Sequence, residues 1–395
     1  MPYQILALKQ GWNEPPVGAE YANGCTPTYL HSCKTLIYSG SNEIQDNIIT
    51  KARLGLLAPG SQRKTIMKAM IIYQHGEPSV FQLADLPVPD IGPGQVLVRV
   101  AATSVNPVDW KIRKFGPPLG PDFPAVLHGD VAGVVEAVGA GVQNFTTGDE
   151  VYGCAGGVKG KGGALAEFMA CDAEYLAPKP ANLSMAEAAA LPLVCLTAWE
   201  GLVDGANVGW GQRVLVHAGV GGVGHVAIQI AIARGAKVYA TVSGPEKAAV
   251  VSEFGAVPIN YRDNSVEEYV QAHTGGAGFD VVYDTVGGDN IPNSWAAAKL
   301  RGTVISCQTN STQDLTPLHL KGLQHIGVFM LIPLLHGVGG TRHGQIMCEI
   351  TALVEAGQIW PLLDGKPFAL EDAAAAHARL ESGQAMGKVI LQVNS

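Results

Sequence analysis

Apolar and polar positions follow two periods along this chain, and the change between them divides it. Gly94–Thr103 (GQVLVRVAAT) alternates apolar and polar residues, the period of a half-buried strand. Met67–Gly76, Phe81–Leu86, Asp130–Val138, Thr147–Tyr152 and Gly163–Ala170 read as further short strands, parted by Gly and Pro turns. Many short strands with such turns predict a barrel-like or sandwich region. Ser184, with Glu187 three residues on, forms a capping box, so a helix begins there. The mostly apolar run that follows contains Pro192, which is expected to break it.

Beyond that run, strands and helices alternate. Val214–Val216 is a strand, and Val223, Val226, Ala227, Ile230 and Ala231 then recur with helical spacing. Gly235 ends this helix, and Lys237–Thr241 is the next strand. Helices are predicted over Pro245–Phe254, Val266–His273 and Asn290–Leu300. Strands are predicted over Pro258–Tyr261, Phe279–Val286 and Gly302–Gln308, with a last strand region in Gly322–Leu331. The continuously apolar Phe279–Val286 fits a buried parallel strand. Helices at His343–Ala356 and Leu370–Gly383 and a closing strand at Lys388–Val393 complete the chain. This alternation predicts a doubly wound α/β fold.

The turn between the first of these strands and its helix carries Gly219, Gly221 and Gly224 at G-x-G-x-x-G spacing. In this context the motif reads as a dinucleotide site formed by Gly219, Val220, Gly221, Gly222, Val223 and Gly224. The first glycine makes the turn, the second admits a pyrophosphate, and the third lets helix and strand approach. The helix N-terminus adds free N–H groups and partial positive charge. The next strand discriminates between cofactors. An Asp or Glu usually meets the ribose 2′-OH of NAD, but Thr241–Pro245 holds no acid. Ser243 can bond a 2′-phosphate, and Lys247 follows one helical turn later, which favours NADP(H).

Charge narrows the partners. The net charge is −8 without a basic run, which disfavours nucleic acid. No apolar stretch reaches membrane-spanning length. The seven cysteines show no C-x-x-C pair, so neither a disulfide framework nor a structural zinc lobe is indicated, and the cytoplasm is the expected location. Residues 1–66 differ from the rest and read as a poorly ordered leader. They lack a secretory pattern, and Glu14, Glu20, Glu43 and Asp46 argue against a transit peptide. Within them, Ile37–Leu56 resembles a C-terminal fragment of acyl-CoA dehydrogenases, without that family's flavin-binding body. Met67 is read as the start of the fold.

VNPVDWKIR at 105–113, VGAGV at 138–142, GDEVYG at 148–153, HAGVGGVG at 217–224, VYDTVGG at 282–288 and GKVIL at 387–391 run in order through the remaining chain. In these motifs the chain resembles the medium-chain dehydrogenase/reductases, in particular the zinc-independent quinone oxidoreductases that include zeta-crystallin. The resemblance implies a GroES-like β-rich catalytic domain (67–191), a Rossmann domain (192–328) and a return segment (329–395) that completes the first domain. It also implies a cleft site, a homodimer or tetramer, and reduction of a quinone or an α,β-unsaturated carbonyl by NADPH. Zinc relatives carry a catalytic Cys and a Gly-His-Glu; here the first position is Asn106, and the second reads His128-Gly129-Asp130, with Cys195 as the match to a third ligand. Three protein ligands are needed at a catalytic zinc, so no metal is expected, although recruitment of His128 with Asp130 stays open. Lys111 stands where many relatives have Tyr, facing the nicotinamide, and could stabilise developing negative charge, with Asn106 orienting the substrate oxygen. Tyr261 is implied beside the adenosine, Val286 and Cys307–Gln308 beside the nicotinamide ribose, and Phe329–Met330 beside the carboxamide. Two rival readings are a zinc-type alcohol dehydrogenase and a non-catalytic NADPH-binding protein.

Overall fold

Short strands of the first region and the last strands of the chain build two mostly antiparallel sheets, and the strand–helix repeats between them build a third. A computed structural model describes residues 65–116 and 119–393. The proposed leader, apart from its last two residues, and its acyl-CoA dehydrogenase-like stretch lie outside the described residues.

The early strands are β1 (Ile66–Ile72), β2 (Gln82–Pro87), β3 (Gln95–Val105), β4 (Ala125–Val126), β5 (Asp130–Val138), β6 (Glu150–Cys154), β7 (Phe168–Asp172) and β8 (Leu176–Pro178). Six more follow: β9 (Arg213–Val216), β10 (Lys237–Val242), β11 (Val257–Asn260), β12 (Phe279–Asp284), β13 (Ala298–Ser306) and β14 (Gln324–Gly327). The last two are β15 (Phe368–Ala369) and β16 (Val389–Gln392). One sheet runs β2-β1-β4, and a larger one runs β15-β16-β3-β5-β6-β8, with β7 also paired to β3. The strand–helix repeats form a separate sheet in the order β11-β10-β9-β12-β13-β14, parallel throughout. This is the expected α/β architecture, a GroES-like β-rich part with a doubly wound part.

β3 departs from simple alternation. Val96, Val98 and Val100 enter the main core, while Leu97 on the other face packs with Met67, Ala69, Ile71 and Ala166. The face expected to be wet is covered by β1. β16 returns antiparallel to β3, with Val389 opposite Val105, which carries Lys388 to Asn106. Gly387 makes that approach possible: its φ is +73° and a side chain there would clash with the Leu362 carbonyl.

Several expectations shift. The run is broken at Pro192 as expected: one helix, Met185–Ala189, ends before it, and Pro192 itself starts the next, Pro192–Trp199. Proline suits that first position because the N–H it lacks has no helical partner there. The helix expected to reach Leu300 ends at Ala297, because Ala298 already pairs with Phe279 and opens β13. The last strand region shrinks to Gln324–Gly327, after which Ile332–His336 turns helical. The helix predicted from His343 starts at Gly340.

Candidate active site

The C-terminal ends of β9 to β14 form one edge, the usual ligand crevice of such sheets. Behind β9, the left-handed residue of the turn is Ala218 (φ 54°), so the tight turn falls one residue before the first glycine. The turn is tied to β10: Ala218 N–H donates to Thr241 Oγ1 (3.1 Å) and Gly219 N–H to the Thr241 carbonyl (3.0 Å). A Cβ at Gly219 would lie 2.7 Å from Ala240 Cβ, and one at Gly224 would clash with the Ala218 carbonyl. Both glycines therefore serve packing. At Gly221 an added Cβ would meet only Ala218, at 3.2 Å from its oxygen, so that face of the turn is open. Gly221 caps the helix Gly222–Ala233, whose first N–H groups have no partner within the helix. An open glycine before a helix N-terminus suits a pyrophosphate.

A cavity of about 540 Å³ continues along this edge, lined by His217, Ala218, Thr241, Tyr261, Val286 and Asn290. Ser243 follows β10, and Lys247 lies in the first turn of the helix Pro245–Glu253; both are half-buried. Tyr261 follows β11 and is anchored by its N–H to the Val242 carbonyl (3.1 Å). Val286, Cys307, Gln308 and Phe329 sit just past the ends of β12, β13 and β14. Met330 is different, because it is buried in the main core.

Lys111 comes to the same edge from the other side. It lies on the helix Pro107–Phe115, which Asn106 caps: the Asn106 N–H donates to Asp109 Oδ2 (2.7 Å). Arg113 on that helix is buried and paired with Glu381. Lys111 is half-buried, and its Nζ donates to Gln308 Oε1 at 2.8 Å. It therefore points into the crevice. Burial holds its ammonium below the ordinary lysine value, against a weaker upward pull from Cys307.

Beneath Lys111 is a polar cluster. Asp130 is fully buried, and its Oδ1 accepts from the Leu193 N–H (2.8 Å). Its Oδ2 accepts from Ser104 Oγ (2.6 Å), Asn106 Nδ2 (2.8 Å) and Lys388 Nζ (3.4 Å). Lys388 Nζ also donates to Asn106 Oδ1. The Asn106 amide is thus engaged on both sides within the protein. Burial, reinforced by nearby Asp130, pushes the Asp109 carboxyl up to about 7. His128 lies outside this set. Thr103 Oγ1 donates to the Asp130 carbonyl (2.6 Å), so it accepts from His128 Nδ1–H (3.2 Å). The other His128 nitrogen then accepts from His377 Nε2–H (2.9 Å). Burial pushes His128 down to about 3, which keeps it neutral. Lys388, Asp109 and Ser104 escaped the sequence reading. The available signal was a lone charge opening the apolar run Lys388–Val393.

Residues 254–391 match the family model described as zinc-binding dehydrogenase, and residues 92–181 that of the alcohol dehydrogenase GroES-like domain. A 2-methylene-furan-3-one reductase of Solanum lycopersicum is 36% identical, covering 82% of this chain and 79% of its own. A solved alcohol dehydrogenase superfamily protein from Novosphingobium aromaticivorans is 43% identical with TM-score 0.80, covering 83% of this chain and 100% of its own. The Escherichia coli quinone oxidoreductase solved with NADPH is 29% identical with TM-score 0.73, covering 82% and 99%. The first family description implies zinc, and the residues here do not suit it. Both Asp130 oxygens are taken, and an ammonium stands beside them. Among the described residues, no group of three or more His, Cys, Asp or Glu is arranged to hold a metal ion.

Proposed function

The chain belongs to the medium-chain dehydrogenase/reductase superfamily, and from that premise we propose that it is an NADPH-dependent reductase of quinones or α,β-unsaturated carbonyls that works without zinc. The observation that supports this most directly is Lys111, whose ammonium reaches Gln308 at the strand-end edge (2.8 Å). Bound NADPH supplies a hydride. On this reading the turn Gly219–Gly224 holds its pyrophosphate, Ser243, Lys247 and Tyr261 its phosphorylated ribose end, and Val286, Cys307, Gln308 and Phe329 its nicotinamide end.

The chain's own task is to receive the negative charge that reduction leaves on the substrate oxygen. Lys111 can donate a hydrogen bond to that oxygen and then a proton, which its lowered pKa makes easier to release. With its side-chain amide engaged inside the protein, Asn106 acts by fixing the start of the helix that carries Lys111. A conjugated C=C or a quinone needs no Lewis acid, since the product enolate or hydroquinone spreads the charge itself. NADPH consumption with simple quinones and enones, beside metal analysis, tests the reading. Turnover of both without bound zinc supports it. Stoichiometric zinc with alcohol oxidation would favour the zinc-type alternative, and cofactor binding without turnover a non-catalytic role.

We also propose a homodimer through β14. That strand ends the parallel sheet, and exposed Leu315, Leu320, Ile332 and Val338 flank it in sequence. Sedimentation or light scattering tests this, a monomer counting against it. The cytoplasm is the proposed location; among the described residues no helix is long and apolar enough to cross a membrane.

A further inference from the structure

Lys388 is only 2% exposed, an unusual position for a lysine. It stands where three strands meet. It immediately precedes β16, lies across from Asn106 after β3, and reaches Asp130 at the start of β5. Its stem lies against the cofactor turn: a Cβ on Gly222 would come within 3.4 Å of Lys388 Cδ. The preceding residue is tied to that turn as well, with Gly387 N–H donating to the Val220 carbonyl at 2.7 Å. A buried ammonium must be answered by charge and hydrogen bonds, and here Asp130 and Asn106 provide both. An amide oxygen and a carboxylate are also donors to which a hard cation would be drawn.

We infer that Lys388 is a positioning residue that takes the part of a metal ion: its ammonium is the resident cation that fixes the Asn106 amide and the Asp130 carboxylate. The consequence runs outward. With Oδ1 held by Lys388 and Nδ2 by Asp130, the Asn106 amide has one orientation. Asn106 is also the N-cap residue of the helix that carries Lys111, and its backbone N–H donates to Asp109 in the first turn, so fixing Asn106 fixes the start of that helix and with it where Lys111 meets Gln308. This catalytic consequence rests on the proposed reductase reading; the charge pairing itself does not.

The test combines Lys388→Met, Asp130→Asn, their double variant and Lys388→Arg, read by thermal melting, by NADPH kinetics with an enone, and by metal content before and after EDTA. The wild type should keep its melting temperature and activity through EDTA. Lys388→Met should melt several degrees lower, because it strands a buried carboxylate. The double variant should recover much of that loss, because neither charge is then unpaired. kcat should fall by about 10²-fold in Lys388→Met, as for a misplaced catalytic group, with little change in KM for NADPH. It should stay low in the double variant and recover in part with arginine. Should Lys388→Met fail to fold, a folded double variant still supports the pairing, and a double variant that also fails to fold overturns it. Additive losses of melting temperature, wild-type kcat in Lys388→Met, or an EDTA-removable stoichiometric metal would also overturn the inference. A wild type that reduces neither quinones nor enones defeats the functional reading alone, and the melting cycle still decides the pairing.

Discussion

The strand-end edge and the cluster beneath it are built in opposite ways. The edge is mostly backbone: a turn, a helix start and the last residues of parallel strands, drawn from neighbouring stretches of chain. Its open glycine and its cavity leave room for something to enter. The cluster is mostly side chains and buried, with one carboxylate answered by a serine, an asparagine, a lysine and a backbone N–H. Lys111 joins them, because its helix is capped over the cluster and its ammonium lies in the edge.

The strongest way to break this contrast is Gly221→Val. A side chain there meets only Ala218, closely at 3.2 Å from its oxygen, so the fold should survive with a small local shift while NADPH affinity drops by orders of magnitude. Unchanged affinity in a titration would remove the pyrophosphate from this turn. Next in size is Lys111→Met, which keeps the length and loses the charge. Its kcat on a quinone and an enone should fall by about 10²–10³, the usual loss of one preorganised donor, with cofactor affinity much less affected. Full kcat on both substrates takes Lys111 out of the mechanism.

A smaller effect sharpens the edge itself. Lys247→Glu should weaken NADPH and leave NADH nearly alone, lowering the NADPH/NADH preference by about tenfold, as for loss of a partly exposed charge contact. Equal losses for both cofactors would make Lys247 merely structural. The smallest effect is on pH, and both regions contribute. Burial holds His217 and His225 near about 4 at the edge, His128 at about 3, and His377 well below its ordinary value. In the unfolded chain each takes a proton near pH about 6.5. Their stabilisation is complete above that pH and is lost as pH falls towards the folded values. Asp109, raised to about 7, works in the other direction across this range, but as one group against four it offsets only some of the loss. The melting temperature should therefore fall from pH 7 to pH 5. A flat profile in buffers of matched ionic strength would mean that these histidines take up protons in the fold as readily as in the unfolded chain.

What the sequence disclosed follows the same division. Strand, glycine turn, helix and strand within Arg213–Val242 are local features, and their periodicity names them. The closing strand was visible for the same reason. Pro192 was legible as a break, but not as the start of the next helix, because a proline that stops one helix and one that starts the next look alike in sequence. Ala218 gave no sign of its left-handed backbone, which the hold of Thr241 on the turn imposes. Lys388 and Asp130 could not be paired from sequence at all, since their 258-residue separation carries no period.

That separation orders events as the chain is made. The parallel sheet is complete once residue 327 has emerged, from segments that follow one another closely. The bond between Lys388 and Asn106 spans 282 residues and waits for nearly the last stretch to be synthesised. Bringing such distant residues together carries a larger entropic cost than any local turn. Until β16 docks, Asp130 lacks its cation and the start of the Lys111 helix lacks its anchor. Along the chain, the turn Gly219–Gly224 is therefore made well before the bond between Lys388 and Asn106 can form.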